Sequence, residues 1–590
     1  MSRVSRRSFL GLSFAAAVTW SVGEVVPAAA GSPDTVARLF QIRGARRAEE
    51  VFPQSVASGD PSPDGAVLWT RVAPDAARAT PSVAYEIAAD ETFGTPLVRG
   101  VATAEESRDF TVKVRVSAKA LRPWQTYYYR FIVGGTASRT GRFRTLPAPG
   151  ASLGGLRFGY ISCQDYTNGY YTALRHLAQE DVDFIVHLGD YIYETTGDPS
   201  FQGAQVRTIE LPSGRTRAET LDDYRALYKV YRSDPDLQRL HERFAMIQIW
   251  DDHEFANDSY GAYDTDTEDE QANYAPDRKL AAVRAWSEFS TAGARFDPSG
   301  GPLGAITIYR TLRFGGLMDL VLTDERTYRS KPPCGLREFF DRYLSAGCAE
   351  RLNPARTMLG DRQREWFVDQ VTSSSATWKV WGNEVMCMQL KLLDIYVKQL
   401  FPQVKAQQEA RRNARSLLDG RFEVFLNLDQ WDGFPAERTR ILSAFRDVEN
   451  LVTITGDLHS FGAGYLRPDF DNPLQRPVGV SLLGGSVTSS NLTEMATFGQ
   501  GGLLVPPETD LTWALRGSNP HLEYFNSAAH GYVVMDVTPA GITATMKAVR
   551  SIRSAATPEL LTLRTFRVGE GTTRLETVDR GTRALGNAGR

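Results

Sequence analysis

The 590-residue sequence has no excess of charge of either sign: 67 lysines and arginines face 70 aspartates and glutamates, for a formal net charge of −3. That balance excludes the broad electrostatic footprint of a nucleic-acid or anionic-membrane binder and leaves open only a local basic patch. No internal period of solenoid or propeller type is present. Beyond residue 30 no run is long and apolar enough to read as a transmembrane helix. Four cysteines in a chain of this length exclude a scaffold held together mainly by disulfides. What is present is a globular composition, 42% apolar and 23% charged, at a length that favours at least two domains.

Residues 1–30 read as an export signal. Ser5-Arg6-Arg7-Ser8-Phe9-Leu10 is followed by the apolar stretch Gly11 to Val18 and by Ala28-Ala29-Ala30. A basic region, a modest apolar region and an A-x-A site make a signal peptide. Paired arginines before Phe-Leu fit a twin-arginine (Tat) signal. The apolar run is short for an anchor, so cleavage after Ala30 is expected, giving a soluble protein delivered by the Tat export machinery, secreted or held at the cell wall. Cys334 and Cys348 flank a short segment and can pair in an oxidising compartment. Cys387 stands in apolar context and reads as a buried small hydrophobe.

From about residue 50 to 147 the pattern is strands and turns. Strand-like runs fall at Ala66 to Thr70, Ser82 to Ile87, Phe110 to Val116 and Tyr127 to Ile132, separated by turn signals such as Asp64-Gly65 and Gly134-Gly135. Leu121 to Arg130 followed by Gly141 to Thr145 resembles the last strands of a fibronectin type III or Ig-like β-sandwich. Pro147 to Gly155 reads as a linker. From 155 to 556, nearly continuous apolar strands alternate with helical or irregular stretches: Leu156 to Ile161, Phe184 to Leu188, Phe244 to Ile249, Leu317 to Leu322, Trp378 to Trp381 and Leu451 to Thr455. Such strands belong to sheets covered on both faces, hence an α/β or α+β domain. The polar tail, 557–590, receives no placement.

The chemistry lies at the strand ends: Ser162-Cys163-Gln164, Gly189-Asp190-Tyr191-Ile192-Tyr193, Asp251-Asp252-His253-Glu254, Gly382-Asn383-Glu384 and Gly456-Asp457-Leu458-His459. The carboxyl edge of an open α/β sheet is where such folds place ligands, and five metal-competent endings in one domain point to a shared site. Cys163, Tyr193 and His459 offer a thiolate, a phenolate and an imidazole. Asp252, Asn383 and Asp457 offer only oxygens, and Asp190 has two oxygens with which to bridge. A phenol, with an ordinary pKa near ~10, ionises at neutral pH only beside strong positive charge. Ferric iron fits the first half, and a hard cation such as Ca²⁺ or Mg²⁺ the second.

These endings resemble those of the calcineurin-like metallophosphoesterases. The Gly-Asp-x-x-Tyr form is similar to purple acid phosphatases. The whole set, with Val56 to Pro61, Leu68 to Arg71, Trp250 to Glu254, Trp431 to Phe434 and His530 to Tyr532, resembles PhoD-type alkaline phosphatases and phosphodiesterases. The resemblance implies two β-sheets packed as a sandwich and flanked by helices. It implies Fe³⁺ held by Cys163, Asp190, Tyr193 and His459, and Ca²⁺ held by Asp190, Asp252, Asn383 and Asp457. His253 is then the catalytic histidine beside the scissile phosphate, and a metal-activated hydroxide attacks phosphorus in line. A second calcium belongs to the family pattern, with Asp251, Glu254 and Asn257 only as neighbours of the site.

Plainer roles remain for other residues. His176, His187 and His241 read as core or surface histidines. Trp431 and His530 either line an entrance or pack. The acidic run Asp264 to Glu270 reads as a solvated loop. The function expected is a secreted phosphomonoesterase and phosphodiesterase. The alternatives are a phospholipase D-like phosphodiesterase and, more distantly, a non-catalytic wall- or carbohydrate-binding protein.

Overall fold

The computed structural model describes residues 37–581 except 45, 199–200, 203–204, 268, 335–344, 347, 394–422 and 499–510. The expected signal segment, 1–30, lies outside the described residues.

Eight strands form first: β1 (Val56–Ser62), β2 (Gly65–Arg71), β3 (Ser82–Ala88), β4 (Val98–Thr103), β5 (Thr111–Ser117), β6 (Thr126–Val133), β7 (Thr136–Ala137) and β8 (Gly141–Arg144). Alternation decides which side faces in: along β5, Val112, Val114 and Val116 are buried while Lys113 and Arg115 are only half-buried, as the two-residue period of a strand requires. One sheet runs β4-β3-β6-β7 with β8 beside β6. Against it lie β1, β2 and β5, and Val56, Leu68, Val83, Tyr85, Tyr129, Phe131 and Phe143 fill the space between.

The rest of the chain carries β9 (Leu156–Ile161), β10 (Phe184–Leu188), β11 (Ala245–Ile249), β12 (Arg310–Phe314), β13 (Met318–Leu322), β14 (Ser345–Ala346), β15 (Trp378–Asn383), β16 (Lys391–Leu393), β17 (Glu423–Phe425), β18 (Leu451–Thr455), β19 (Phe461–Leu466) and β20 (Gly479–Leu483). Five more close it: β21 (Leu522–Asn526), β22 (His530–Thr538), β23 (Gly541–Val549), β24 (Leu560–Gly569) and β25 (Leu575–Asp579). A ten-stranded sheet runs β25-β24-β23-β22-β9-β10-β11-β1-β2-β5, and a seven-stranded sheet runs β12-β13-β15-β18-β20-β19-β21. Phe158, Val186, Leu188, Ile247, Leu320, Val380, Ile454 and Leu482 belong to one core between them. The Tyr160 hydroxyl donates across that core to the Leu482 carbonyl at 3.0 Å. No helix among the described residues is long and apolar enough to cross a membrane.

Two features depart from or extend the sequence reading. A boundary at residue 147 does not separate two sheets, because β1 pairs in parallel with β11 through Ser58 and Ala245, so β1, β2 and β5 form one end of the ten-stranded sheet. The stretch after 556, which the sequence left unplaced, supplies β24 and β25 as the other end of that sheet, although 582–590 lie outside the described residues. A register shift between Met546 and Lys547 in the β23–β24 pairing offsets the two long strands from simple two-residue matching.

Candidate metal centre

β9, β10 and β11 are mutually parallel, and so are β13, β15, β18 and β20 in the facing sheet. The loops that leave their carboxyl ends therefore meet along one edge. Each must turn sharply there. Cys163, Asp190, Asp457 and His459 all take left-handed backbone, with φ of 59°, 56°, 60° and 51°, a conformation that non-glycine residues adopt rarely and mostly at functional sites. Gly189 has φ of 106°, and a Cβ there would lie 2.4 Å from the Asp251 Cβ.

The first half of the cluster carries sulfur, phenol and imidazole. Ligand atoms of Cys163, Asp190 and His459 lie within 4.8 Å of one another, all buried. The Tyr193 hydroxyl sits 3.0 Å from Asp190 Oδ2 and 3.2 Å from His459 Nε2. His459 Nδ1 donates to the Ser490 carbonyl at 2.6 Å, which fixes the tautomer and leaves Nε2 with its lone pair facing the cluster. Burial pushes His459 down to about 4, so the ring is neutral. Burial and then the Asp190 carboxylate raise both the Cys163 thiol and the Tyr193 phenol well above their ordinary values.

The second half holds oxygens. Asp251, Asp252 and Asp457 place carboxylate oxygens within 4.8 Å of one another. The Asp252 Oδ1 makes no hydrogen bond, nor does the Nδ2 of Asn383. Asn383 is paired with Thr455 in the β15–β18 register, which sets it beside the loop that carries Asp457. Its Oδ1 accepts from the Trp431 indole at 3.3 Å. Trp431 is fully buried, so it packs and orients Asn383 rather than lining an entrance.

His253 lies between the halves. Its ring packs against Tyr193 with centroids 4.0 Å apart and the planes tilted by 31°. Although Asp190, Asp252 and His253 also group closely enough to hold a metal, Nδ1 of His253 is already bonded to Glu194 Oε2 at 2.7 Å. Burial alone would lower this imidazole; the carboxylates of Glu194, Asp190 and Asp252 outweigh it and hold the pKa well above its ordinary value. A protonated ring is a donor, not a ligand.

Helix Leu221–Tyr231 buttresses these loops. It opens on a Thr220–Asp223 capping box, and its last residue, Tyr231, accepts the Tyr193 N–H at 3.1 Å. Tyr224 of the same helix donates to the Phe255 carbonyl at 2.6 Å.

Of the neighbours named for a second cation, Glu254 is taken up by backbone groups, while Asp251 keeps one carboxylate oxygen without a hydrogen bond. Glu254 accepts backbone N–H groups from Asp190 (3.0 Å), Tyr191 (2.8 Å) and Asp251 (2.9 Å). Asn257 gives its N–H to Glu194 at 2.8 Å. Asp251 is paired to Arg326. His530 faces Ser486, Asn491 and Glu494. His187 and His241 are buried, the latter bonded to the Tyr191 hydroxyl at 2.8 Å; His176 bonds the Pro558 carbonyl at 3.0 Å. The acidic run is solvated only in its second half, where Thr267, Asp269 and Glu270 are exposed; Asp264 and Asp266 both pair with the buried Arg278, Asp264 at 2.8 Å. The possible disulfide is formed, Cys334 to Cys348, with Cα atoms 5.9 Å apart, while Cys163 and Cys387 are free and buried.

Comparison with known proteins decides the family. The family model described as PhoD-like phosphatase matches residues 158–546, and that of its N-terminal domain matches 37–147. The chain belongs to the PhoD-like phosphatases. It is 32% identical to alkaline phosphatase D of Bacillus subtilis (strain 168) over 506 residues, covering 83% of this chain and 76% of that protein. A solved structure titled "Structure of PhoD" matches with a TM-score of 0.76 at 29% identity, covering 92% of this chain and 95% of that one. The protein is therefore a phosphoric ester hydrolase of the phosphatase class, and its substrate is a phosphoester. The reading as a non-catalytic binding module falls with that membership.

The donor set of this PhoD-like phosphatase fits bound cations. A thiol, a phenol and three carboxylates are crowded into a buried space where their charged forms repel. Only added positive charge makes such a cluster stable in its ionised form. Part of that charge is supplied by a residue the sequence reading missed. Arg326, in the loop after β13, has a fully buried side chain and pairs with Asp251, Asp252 (3.4 Å), Asp429 and Asp457 (2.9 Å). The signal was there, since Thr323-Asp324-Glu325-Arg326 is one more polar strand ending. Glu194, next to Tyr193, was missed likewise. So was the loop after β20, whose Val487, Thr488 and Ser489 N–H groups bond the Ser162 and Cys163 carbonyls; nothing in its residue types announced it.

Proposed function

We propose that this PhoD-like phosphatase is an exported phosphomonoesterase and phosphodiesterase working through an iron–calcium pair within a metallophosphoesterase sandwich. Cys163, Asp190, Tyr193 and His459 would hold Fe³⁺; Asp190, Asp252, Asn383 and Asp457 would hold Ca²⁺. Bound there, the ions would supply Lewis acidity toward phosphate oxygens and toward a water nucleophile. The chain's own part is orientation and proton handling. Glu194 fixes the His253 ring, so that Nε2 serves as the donor to a phosphoryl oxygen or to the departing alkoxide. Tyr193, packed against the ring, restricts its rotation.

One observation carries this reading: a sulfur, a phenol and an imidazole surround the same aspartate. Soft and phenolate donors on one side and oxygens alone on the other favour two different ions. Enzyme purified without chelator should contain iron and calcium and show a visible charge-transfer band. Tyr193→Phe or Cys163→Ser should abolish or shift the band, and Asp190→Ala should remove nearly all turnover. An Asp190→Ala enzyme that retains activity sinks the bridging assignment. Turnover of p-nitrophenyl phosphate against phosphatidylcholine separates the general phosphatase from a phospholipase D-like enzyme.

Export rests on Arg6-Arg7 and on the Cys334–Cys348 bond, which persists in oxidising compartments. Replacing both arginines with lysine should strand the protein in the cytoplasm on fractionation; unchanged export would refute the Tat route.

A further inference from the structure

Arg326 is unusual in what surrounds it. Its side chain is fully buried, and Nε, Nη1 and Nη2 meet carboxylates from three separate loops: Asp251 and Asp252 after β11, Asp429 after β17, and Asp457 after β18. Arg329, also fully buried, takes the other oxygen of Asp429 at 2.6 Å and the carbonyls of Asp258, Ser259 and Asp429. The Arg326 backbone is pinned too, its N–H bonded to Asp324 Oδ1 at 3.1 Å. Four carboxylates against two guanidinium groups leave an excess of negative charge that a bound cation would offset. Without Arg326, Asp251, Asp252 and Asp457 would lose their guanidinium partner in a low-dielectric interior, where like charges at these separations repel strongly.

We propose that Arg326 is a built-in counter-cation that holds Asp251, Asp252, Asp429 and Asp457 in place whether or not a divalent ion is bound. The oxygen-rich half is thereby preformed, and the ion exchanges without collapse of the surrounding loops. This rests on the reading of Asp252 and Asp457 as ligands of a divalent ion. Each carboxylate oxygen has two lone-pair directions, so an oxygen bonded to Arg326 keeps one for a cation. Arg326 is a positioning residue: it meets ligand carboxylates and leaves the reacting atoms to others. A lysine has the charge but not the planar fork that spans several carboxylates at once.

The experiment measures calcium content, iron content and Tm for wild type, Arg326→Gln and Arg326→Lys, in calcium and in a calcium-selective chelator. Iron content must stay constant, so that only the divalent half is tested. Wild type should bind calcium and lose little Tm on its removal. In Arg326→Gln calcium becomes the main charge holding Asp251, Asp252 and Asp457, while Arg329 still holds Asp429, so its removal should cost at least about 5 °C more than in wild type. Arg326→Lys should fall between. If Arg326→Gln does not fold even with calcium, Arg326→Lys decides, and it must show a larger calcium-dependent shift than wild type. Calcium bound in every protein with equal Tm shifts overturns the role of Arg326 alone. A wild type that binds no calcium overturns the divalent reading beneath it, and this proposal with it.

Discussion

In the proposed centre, the difference between a ligand and a proton donor is set by one hydrogen bond each. His459 gives Nδ1–H to a backbone carbonyl and stays neutral with Nε2 available. His253 gives Nδ1 to a carboxylate, which raises its pKa well above the ordinary value. Two histidines of one cluster thus take opposite roles. Glu194 is the residue on which the second role depends, and Glu194→Gln tests it. The fold should survive, since the amide oxygen still accepts the Asn257 N–H. The ring loses its charged partner, and kcat should drop about 10- to 100-fold at little change in KM. A kcat within twofold of wild type would show that His253 needs no carboxylate behind it.

At the scale of elements, the question is what keeps the loop ends in register. Strand positions were legible in the sequence because buried parallel strands read as short apolar runs: β9, β10 and β18 match their expected spans residue for residue. The loops were not, because their order comes from partners remote in sequence. Glu254 is the main strap. Its carboxylate joins the ends of β10 and β11 through three backbone N–H groups, each buried and without a substitute once the acceptor goes. Glu254→Ala should therefore cost about 3 kcal/mol or more of stability and should loosen Asp190 at the same time. Denaturant unfolding with metal analysis checks both; a stable variant with full metal content would remove Glu254 from the account.

At the scale of the molecule, the N-terminal sandwich and the catalytic part are one object. Besides the β1–β11 pairing, the Trp69 indole donates to the Glu288 carbonyl at 2.7 Å, and Asp60 meets Arg310 at 2.7 Å. A sheet that runs through both parts cannot lose one without exposing the edge of β11, an unpaired row of backbone groups prone to aggregation. Calorimetry should therefore show a single unfolding transition, and deletion up to residue 147 should yield insoluble protein. Two separated transitions would contradict the shared sheet.

By itself the sequence determined the kinds of chemistry available. Polar residues capable of binding metal stand at the ends of apolar strands, and that pattern is local: it needs only strand period and residue type, both written along the chain. What only the tertiary structure decided is how charges balance. Arg326 reaches aspartates up to 131 positions away, Glu194 selects the protonated state of His253, and Asp264 and Asp266 turn inward to Arg278. Pairing of buried charges is a property of neighbours in space. No single residue carries it, so it was decided only when the loops came together.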